Sequence, residues 1–465
     1  FQFVCKQHNM NEIDMPQTTN RVRAPPKRFV KNQIPDSLLN DAALNAAVSL
    51  LPTNYNFEVH KCLWRILSAG AKRVALQLPE GLLMYSLALA DIFTAFGHAD
   101  HCFVLGDVTY GACCVDDFSA AALSVDLLIH YGHSCLVPVD VTSVPCLYVF
   151  VEITIDVGHL VQTVKLSLLD PDSPHRIRNV VLAGTIQFAS AIRAAKPELE
   201  KSGFKVLVPQ SRPLSSGEVL GCTAPKVARG SFGDPHDTTA VVFVADGRFH
   251  LEAFMIANPG IMAFRYDPYI GALFLEEYDH EGMRESRKKA IVKAREAVDW
   301  GIVLGTLGRQ GNTGILDRLE KKMKERGVCW TVVLMSEITP GRVALFEESV
   351  DAWVQVACPR LSIDWGKAFA KPLLTPFEAE VAFGLVPGWW EKGCRRSSGC
   401  GDRPDCAEGG SCCRREDGDN GRDYPMDYYA QDGGEWNSSY LKNSSRPSRR
   451  KNNRAPLSNG AVSSF

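Results

Sequence analysis

The sequence predicts an α/β chain built from three similar Rossmann-like parallel-sheet domains. From about residue 58, short apolar runs alternate with helix-length spacers, the pattern of βα units on a parallel sheet. Three such runs recur in each of three successive stretches, a weak internal repeat carried by strand order and turn placement rather than by identities. Each stretch also sets one cysteine, Cys113, Cys222 or Cys358, beside glycine or proline near the end of a predicted strand. If the domains pack in a pseudo-threefold arrangement, these thiols meet at a central cluster site, one thiolate from each, with one metal position left open. Cys113 and Cys222 fall between the second and third predicted strands, whereas Cys358 follows the third. Convergence is therefore an inference about packing, not a property of the repeat.

The elements follow in order. Residues 1–57 read as a basic, disordered leader, with Arg21, Arg23, Lys27 and Arg28 close together, ending in one docking helix over 35–51. Domain 1 spans 58–170, with strands predicted at 74–79, 102–107 and 126–130. Domain 2 spans 171–280, with strands at 180–185, 205–210 and 240–247. Domain 3 spans 281–390, with strands at 302–307, 330–335 and 352–357. Residues 391–465 read as a Cys/Gly-rich insertion and a disordered tail. There Cys394, Cys400, Cys406 and Cys412 recur at six-residue spacing, with Cys413 adjacent and no histidine nearby. A zinc ribbon would need closer ligand pairs and some apolar packing.

Length and composition agree with several globular domains. The chain has 465 residues, 45% hydrophobic and 22% charged, more than one compact core requires. A formal net charge of -2 supplies no bulk attraction to nucleic acid or to an anionic membrane. The longest apolar run, 137–155, is broken by Asp140 and Glu152, so no membrane span is expected. The 15 cysteines come without the order of a secretory signal, which predicts a cytoplasmic protein whose thiols stay free or bind metal. The first residue is Phe1, not Met, which reads as a fragment or an uncertain gene model.

The residues that can carry chemistry cluster at strand ends. Around Gly111-Ala112-Cys113-Cys114, glycine lets backbone approach a ligand, and a thiol at a helix start favours the thiolate that binds metal. The same stretch also reads as a turn with two buried, inert cysteines. Gly221-Cys222-Thr223-Ala224-Pro225 and Ala357-Cys358-Pro359 repeat the logic, proline stiffening the loop beside a fixed thiol. The turn 305–312 is either an anion cradle on backbone N–H groups or a tight βα turn. It matches neither the dinucleotide fingerprint nor a phosphate-binding loop. His133 and His250 stand at strand ends, where open α/β sheets bind ligands, and are pocket candidates or structural histidines. No Cys-x-x-Cys occurs, so a compact cluster loop and a thioredoxin-type pair are excluded.

Together, Leu78-Pro79-Glu80-Gly81-Leu82-Leu83, Thr109-Tyr110-Gly111-Ala112-Cys113, His130-Tyr131-Gly132-His133-Ser134-Cys135 and the stretches 214–223, 246–250, 266–269, 304–311 and 353–366 are similar to a known family. The chain resembles the eukaryotic 2-(3-amino-3-carboxypropyl)histidine synthases of diphthamide biosynthesis, first-subunit type, from about Val30 to Pro387, with a further piece at 424–430. The resemblance implies that Cys113, Cys222 and Cys358 are the cluster ligands. It also implies a [4Fe–4S] cluster, S-adenosylmethionine as co-substrate and a 3-amino-3-carboxypropyl radical that adds to C2 of a histidine in elongation factor 2. Implied partners are a homologous second synthase subunit and a small metal-binding electron donor protein. Relatives pass almost directly from the segment near Pro387 to the stretch at 424, so the intervening cysteines inherit no role. Cys114, Cys135 and those tail cysteines are expected to tolerate substitution. Two rival readings are a cluster dehydratase resembling quinolinate synthase, whose open iron acts as a Lewis acid, and a non-catalytic scaffold subunit.

Overall fold

The computed structural model describes residues 33–169, 177–228, 230–233, 238–391 and 423–440. The basic leader up to residue 32 and the Cys-rich run 392–422 lie outside the described residues. The first unit holds β1 (Tyr55–Asn56), β2 (Arg73–Gln77), β3 (His101–Leu105), β4 (Leu127–Tyr131), β5 (Cys146–Val149) and β6 (Glu152–Ile153). The second holds β7 (Asn179–Gly184), β8 (Lys205–Leu207), β9 (Thr239–Val244), β10 (Met262–Asp267) and β11 (Ala272–Glu276). The third holds β12 (Asp299–Gly305), β13 (Cys329–Met335), β14 (Ala352–Val356) and β15 (Leu373–Leu374).

The three main sheets run β3-β2-β4-β5, β11-β10-β9-β7-β8 and β13-β12-β14-β15. In each, the first strand lies between the second and third, and a fourth flanks the third. All of these pairings are parallel; only β11 joins its sheet antiparallel. The repeat read from the sequence thus reappears as a shared strand order. Central strands are buried on both faces, as β4, β7 and β14 show along their whole length. That is why they read as unbroken apolar runs rather than as alternating ones.

The sequence expects three strands per unit and the structure has a fourth in each. In two of the units the reason is local: β15 is only two residues long, and β10 carries Arg265 within its apolar run. Arg265 is paired with Asp267 at 3.0 Å and with Glu276 of β11 at 2.8 Å, so the charge costs little. The single helix expected over 35–51 is two short ones, Asp36–Leu39 and Ala42–Val48. Asp41 divides them, its side chain accepting from Leu44 N at 3.0 Å as the second helix's cap.

By length and a mean hydropathy of 1.2, the helical stretch Glu80–Gly97 is apolar enough to cross a bilayer. It is instead the crossover between the parallel strands β2 and β3, with Leu89, Ile92 and Phe93 buried against that sheet's core.

The expectation of a disordered tail fails for residues 423–440. Tyr424, Met426, Tyr428 and Tyr429 are buried in the largest apolar cluster, with strands β9, β12 and β14. Tyr424 donates to Glu378 at 2.9 Å, and the same carboxylate takes two 2.7 Å bonds from the buried Arg287. This buried ion pair persists because its remaining lone pairs are also satisfied.

Candidate metal centre

Cys113 sits on a short 3₁₀ turn, Ala112–Cys114, just before the helix Asp117–Ala122. Its loop is clamped from two sides. Gln77, at the end of β2, donates to Cys114 O at 2.8 Å and accepts from Asp116 N at 3.1 Å. From the third unit, Arg309 N donates to Cys113 O at 2.9 Å and Gln310 Nε2 to Cys114 Sγ at 3.1 Å. The Arg309 guanidinium grips the buried Asp117 with bonds of 2.7 and 2.6 Å. Gly308 has φ +56°, and a Cβ there would lie 2.2 Å from Cys114 O. Of the two readings of the turn 305–312, the tight turn therefore describes its packing against the Cys113 loop.

Cys222 rides on a small turn in which Leu220 and Thr223 exchange backbone bonds of 2.9 and 3.2 Å. Gly221 packs against Phe249: a Cβ there would meet the ring at 2.1 Å unless the ring moved. Cys358 follows β14, its carbonyl accepting from Gln355 Nε2 at 3.0 Å. Two residues on, Arg360 locks this loop to the second unit. It donates to Phe249 O at 2.7 Å, lies 4.3 Å over the Phe249 ring, and pairs with Glu252 and Asp364. Phe249 thus touches both the glycine before Cys222 and the arginine after Cys358.

The three thiols, one from each unit, lie within electrostatic reach of one another. Burial pushes Cys222 up to about 12, and the Cys358 thiol adds to it. Burial likewise pushes Cys358 up to about 11, against the pull of the Arg360 N–H and guanidinium. Cys113 is raised first by its hydrogen bond to Cys114, then by burial, then by Cys222 and Cys358. Cys114 goes the other way, to about 7, because Cys113, the Tyr110–Gly111 backbone and Gln310 all donate to it. Cys114 is therefore a bonded member of the loop rather than an inert one. Cys113, Cys358, His133 and His250 each retain some accessible surface.

The two candidate histidines are near one another. Burial lowers both to about 4; the charge of His250 lowers His133 further, and Arg360 does the same to His250. The Nδ1 atoms of both are buried without a partner among the described residues. Beside His133, Ser134 donates to the buried Glu218. Glu218 also accepts from Ser215 N at 2.8 Å, and burial raises its carboxyl to about 7. Among the described residues, no group of three or more His, Cys, Asp or Glu converges on a point that one metal ion could occupy.

Residues 78–394 match the family model described as "Putative diphthamide synthesis protein". The 2-(3-amino-3-carboxypropyl)histidine synthase subunit 1 of Gallus gallus is 53% identical, over 77% of this chain and 84% of its own. The same-named protein of Schizosaccharomyces pombe is 47% identical, over 91% and 88%. The chain belongs to the 2-(3-amino-3-carboxypropyl)histidine synthase subunit 1 family. Among solved structures, that of Dph2 from Pyrococcus horikoshii with a 4Fe-4S cluster is similar at 28% identity and a TM-score of 0.58. It covers 71% of this chain and 91% of its own.

For this member of the diphthamide synthesis family, sequence reasoning named three thiols that lie within electrostatic reach of one another, and two histidines that lie near each other. It missed Arg309, Arg360 and Glu218. Arg360 is two residues from Cys358 and could have been suspected from that spacing alone. Arg309 could not, because its partner Asp117 is 192 residues away. Cys135, in contrast, is exposed.

Proposed function

We propose that this chain catalyses the first step of diphthamide biosynthesis, transferring the 3-amino-3-carboxypropyl group of S-adenosylmethionine to C2 of a histidine in elongation factor 2. What supports the reading is that Cys113, Cys222 and Cys358, one thiol from each sheet unit, lie within electrostatic reach of one another. In this reading the three units form pseudo-threefold domains, at 58–170, 171–280 and 281–390, around a [4Fe–4S] cluster. The donor set fits such a group. A single zinc needs its ligands about 2.3 Å from one centre, whereas a cube presents a different iron to each thiolate. The 4Fe-4S cluster of the Pyrococcus relative supports the same choice.

When bound, the cluster supplies the electron that cleaves the carbon–sulfur bond and leaves methylthioadenosine. The chain's own part is to hold the thiolates, orient the sulfonium and exclude water. His133 and His250 line the pocket as cofactor-binding residues. With pKa values near 4 they are uncharged at neutral pH and do not repel a cationic sulfonium. Their free Nδ1 atoms offer bonds to polar ligand groups. Arg360, deep in the same region, is neutralised by Glu252 and Asp364. The expected assembly adds a homologous second subunit and a small metal-binding electron donor in the cytoplasm.

The test is anaerobic turnover of the reconstituted chain and second subunit with dithionite, S-adenosylmethionine and elongation factor 2, read by mass spectrometry. Methylthioadenosine together with an aminocarboxypropyl-modified histidine is expected. An iron-loaded complex that forms neither product contradicts the reading.

A further inference from the structure

Residues 423–440 cross all three units. Against the second, Ala224 N donates to Met426 O at 2.8 Å, Tyr428 N to Cys222 O at 3.3 Å, Tyr429 N to Thr223 Oγ1 at 3.0 Å and Gln431 N to Arg212 O at 2.7 Å. Against the third, Tyr428 donates to Thr375 at 3.1 Å and Asn312 to Ser438 O at 3.2 Å. Against the first, Tyr440 packs on the apolar cluster that holds Val115 and Val137. The segment therefore passes directly over the turn that carries Cys222.

Within it, Tyr429 is buried in the cluster that includes Ala112 and Cys222, with Cys113 packed against it. Its phenol lies within electrostatic reach of Cys113, Cys222 and Cys358. No residue among the described ones accepts a hydrogen bond from that hydroxyl. Tyr428, the residue before it, instead spends its hydroxyl on Thr375. A phenol O–H is a donor, and the thiolates a cluster would require are acceptors within its electrostatic reach.

We propose that residues 423–440 form a strap over the three-thiol site, and that Tyr429 is a positioning residue whose O–H donates to the negative charge held there. This rests on the cluster reading above. Hydrogen bonds to the sulfurs and exclusion of solvent are among the features that set the potential of an iron–sulfur centre. Tyr429 supplies the first as a donor and the second as an aromatic wall.

The experiment uses the full chain, reconstituted anaerobically with iron and sulfide, as wild type, Tyr429→Phe and Tyr428→Phe. Potentiometric titration is followed by the electron paramagnetic resonance of the reduced cluster, beside iron content and melting temperature. Tyr429→Phe is expected to keep the iron and the melting temperature but to move the midpoint to a more negative potential. Tyr428→Phe, which loses the bond to Thr375, is expected to lower the melting temperature and leave the midpoint in place. A Tyr429→Phe midpoint equal to wild type overturns the inference, as does an equal shift in both variants. A wild-type chain that takes up no iron overturns the cluster reading as well.

Discussion

At the residue scale, the site is a set of buried groups whose charge states are set by burial rather than by solvent. Glu218 shows the consequence most cleanly. Its carboxyl is raised from 4.5 to about 7, so between those values the folded state holds a proton that the unfolded chain has released. Stability therefore falls as pH rises from about 4.5 to about 7 and levels off above, by a total of about 3 kcal/mol. Glu218→Gln removes this slope. The variant should melt like wild type near pH 4.5 and at a higher temperature at pH 8, the difference growing through the interval. Equal melting temperatures at both pH values would contradict the burial argument. Cys113, Cys222 and Cys358 obey the same physics: burial favours the neutral thiol, and a bound metal would make the thiolate the favoured form.

At the element scale, the cysteine loops are held by strand-end glutamines and by turns of neighbouring units together. The turn 305–312 lies on the Cys113–Cys114 backbone so closely that Gly308 has no room for a methyl group. Gly308→Ala combines a positive φ with that clash and should cost about 1–3 kcal/mol. Thermal melting would register the loss, and in iron-reconstituted protein oxygen should bleach the proposed cluster faster as the Cys113 loop loosens. Unchanged melting and bleaching would show that the clamp is dispensable.

This is also the scale at which the sequence was most and least legible. Strands β4, β7 and β14 were plain because both faces are covered and the runs are continuously apolar. Two of the fourth strands were hidden, because β15 is two residues long and Arg265 interrupts β10 until Asp267 and Glu276 neutralise it. The buried path of residues 423–440 was hidden for another reason. Its Tyr424, Tyr428 and Tyr429 find their partners in Glu378, Thr375 and Thr223, all remote in sequence.

At the scale of the whole molecule, three sheets with one strand order each deliver a cysteine to the same region. Arg309–Asp117, Arg360–Phe249 and the bonds of residues 423–440 tie the units where those cysteines meet. The thiols were legible in the sequence because each stands beside glycine or proline at a strand end. Their meeting was not, because Cys358 occupies a different place in its repeat from Cys113 and Cys222. Only the packing of one unit on another brings them together.

The most direct measurement is iron and sulfide content per chain, with the electron paramagnetic resonance of the reduced protein, for wild type and for Cys113→Ala, Cys222→Ala and Cys358→Ala. The predicted result is about four irons in wild type, a marked loss in each single variant, and wild-type content when Cys135 or the cysteines of 392–422 are replaced. Full iron and an unchanged spectrum in Cys222→Ala would contradict the three-thiolate site.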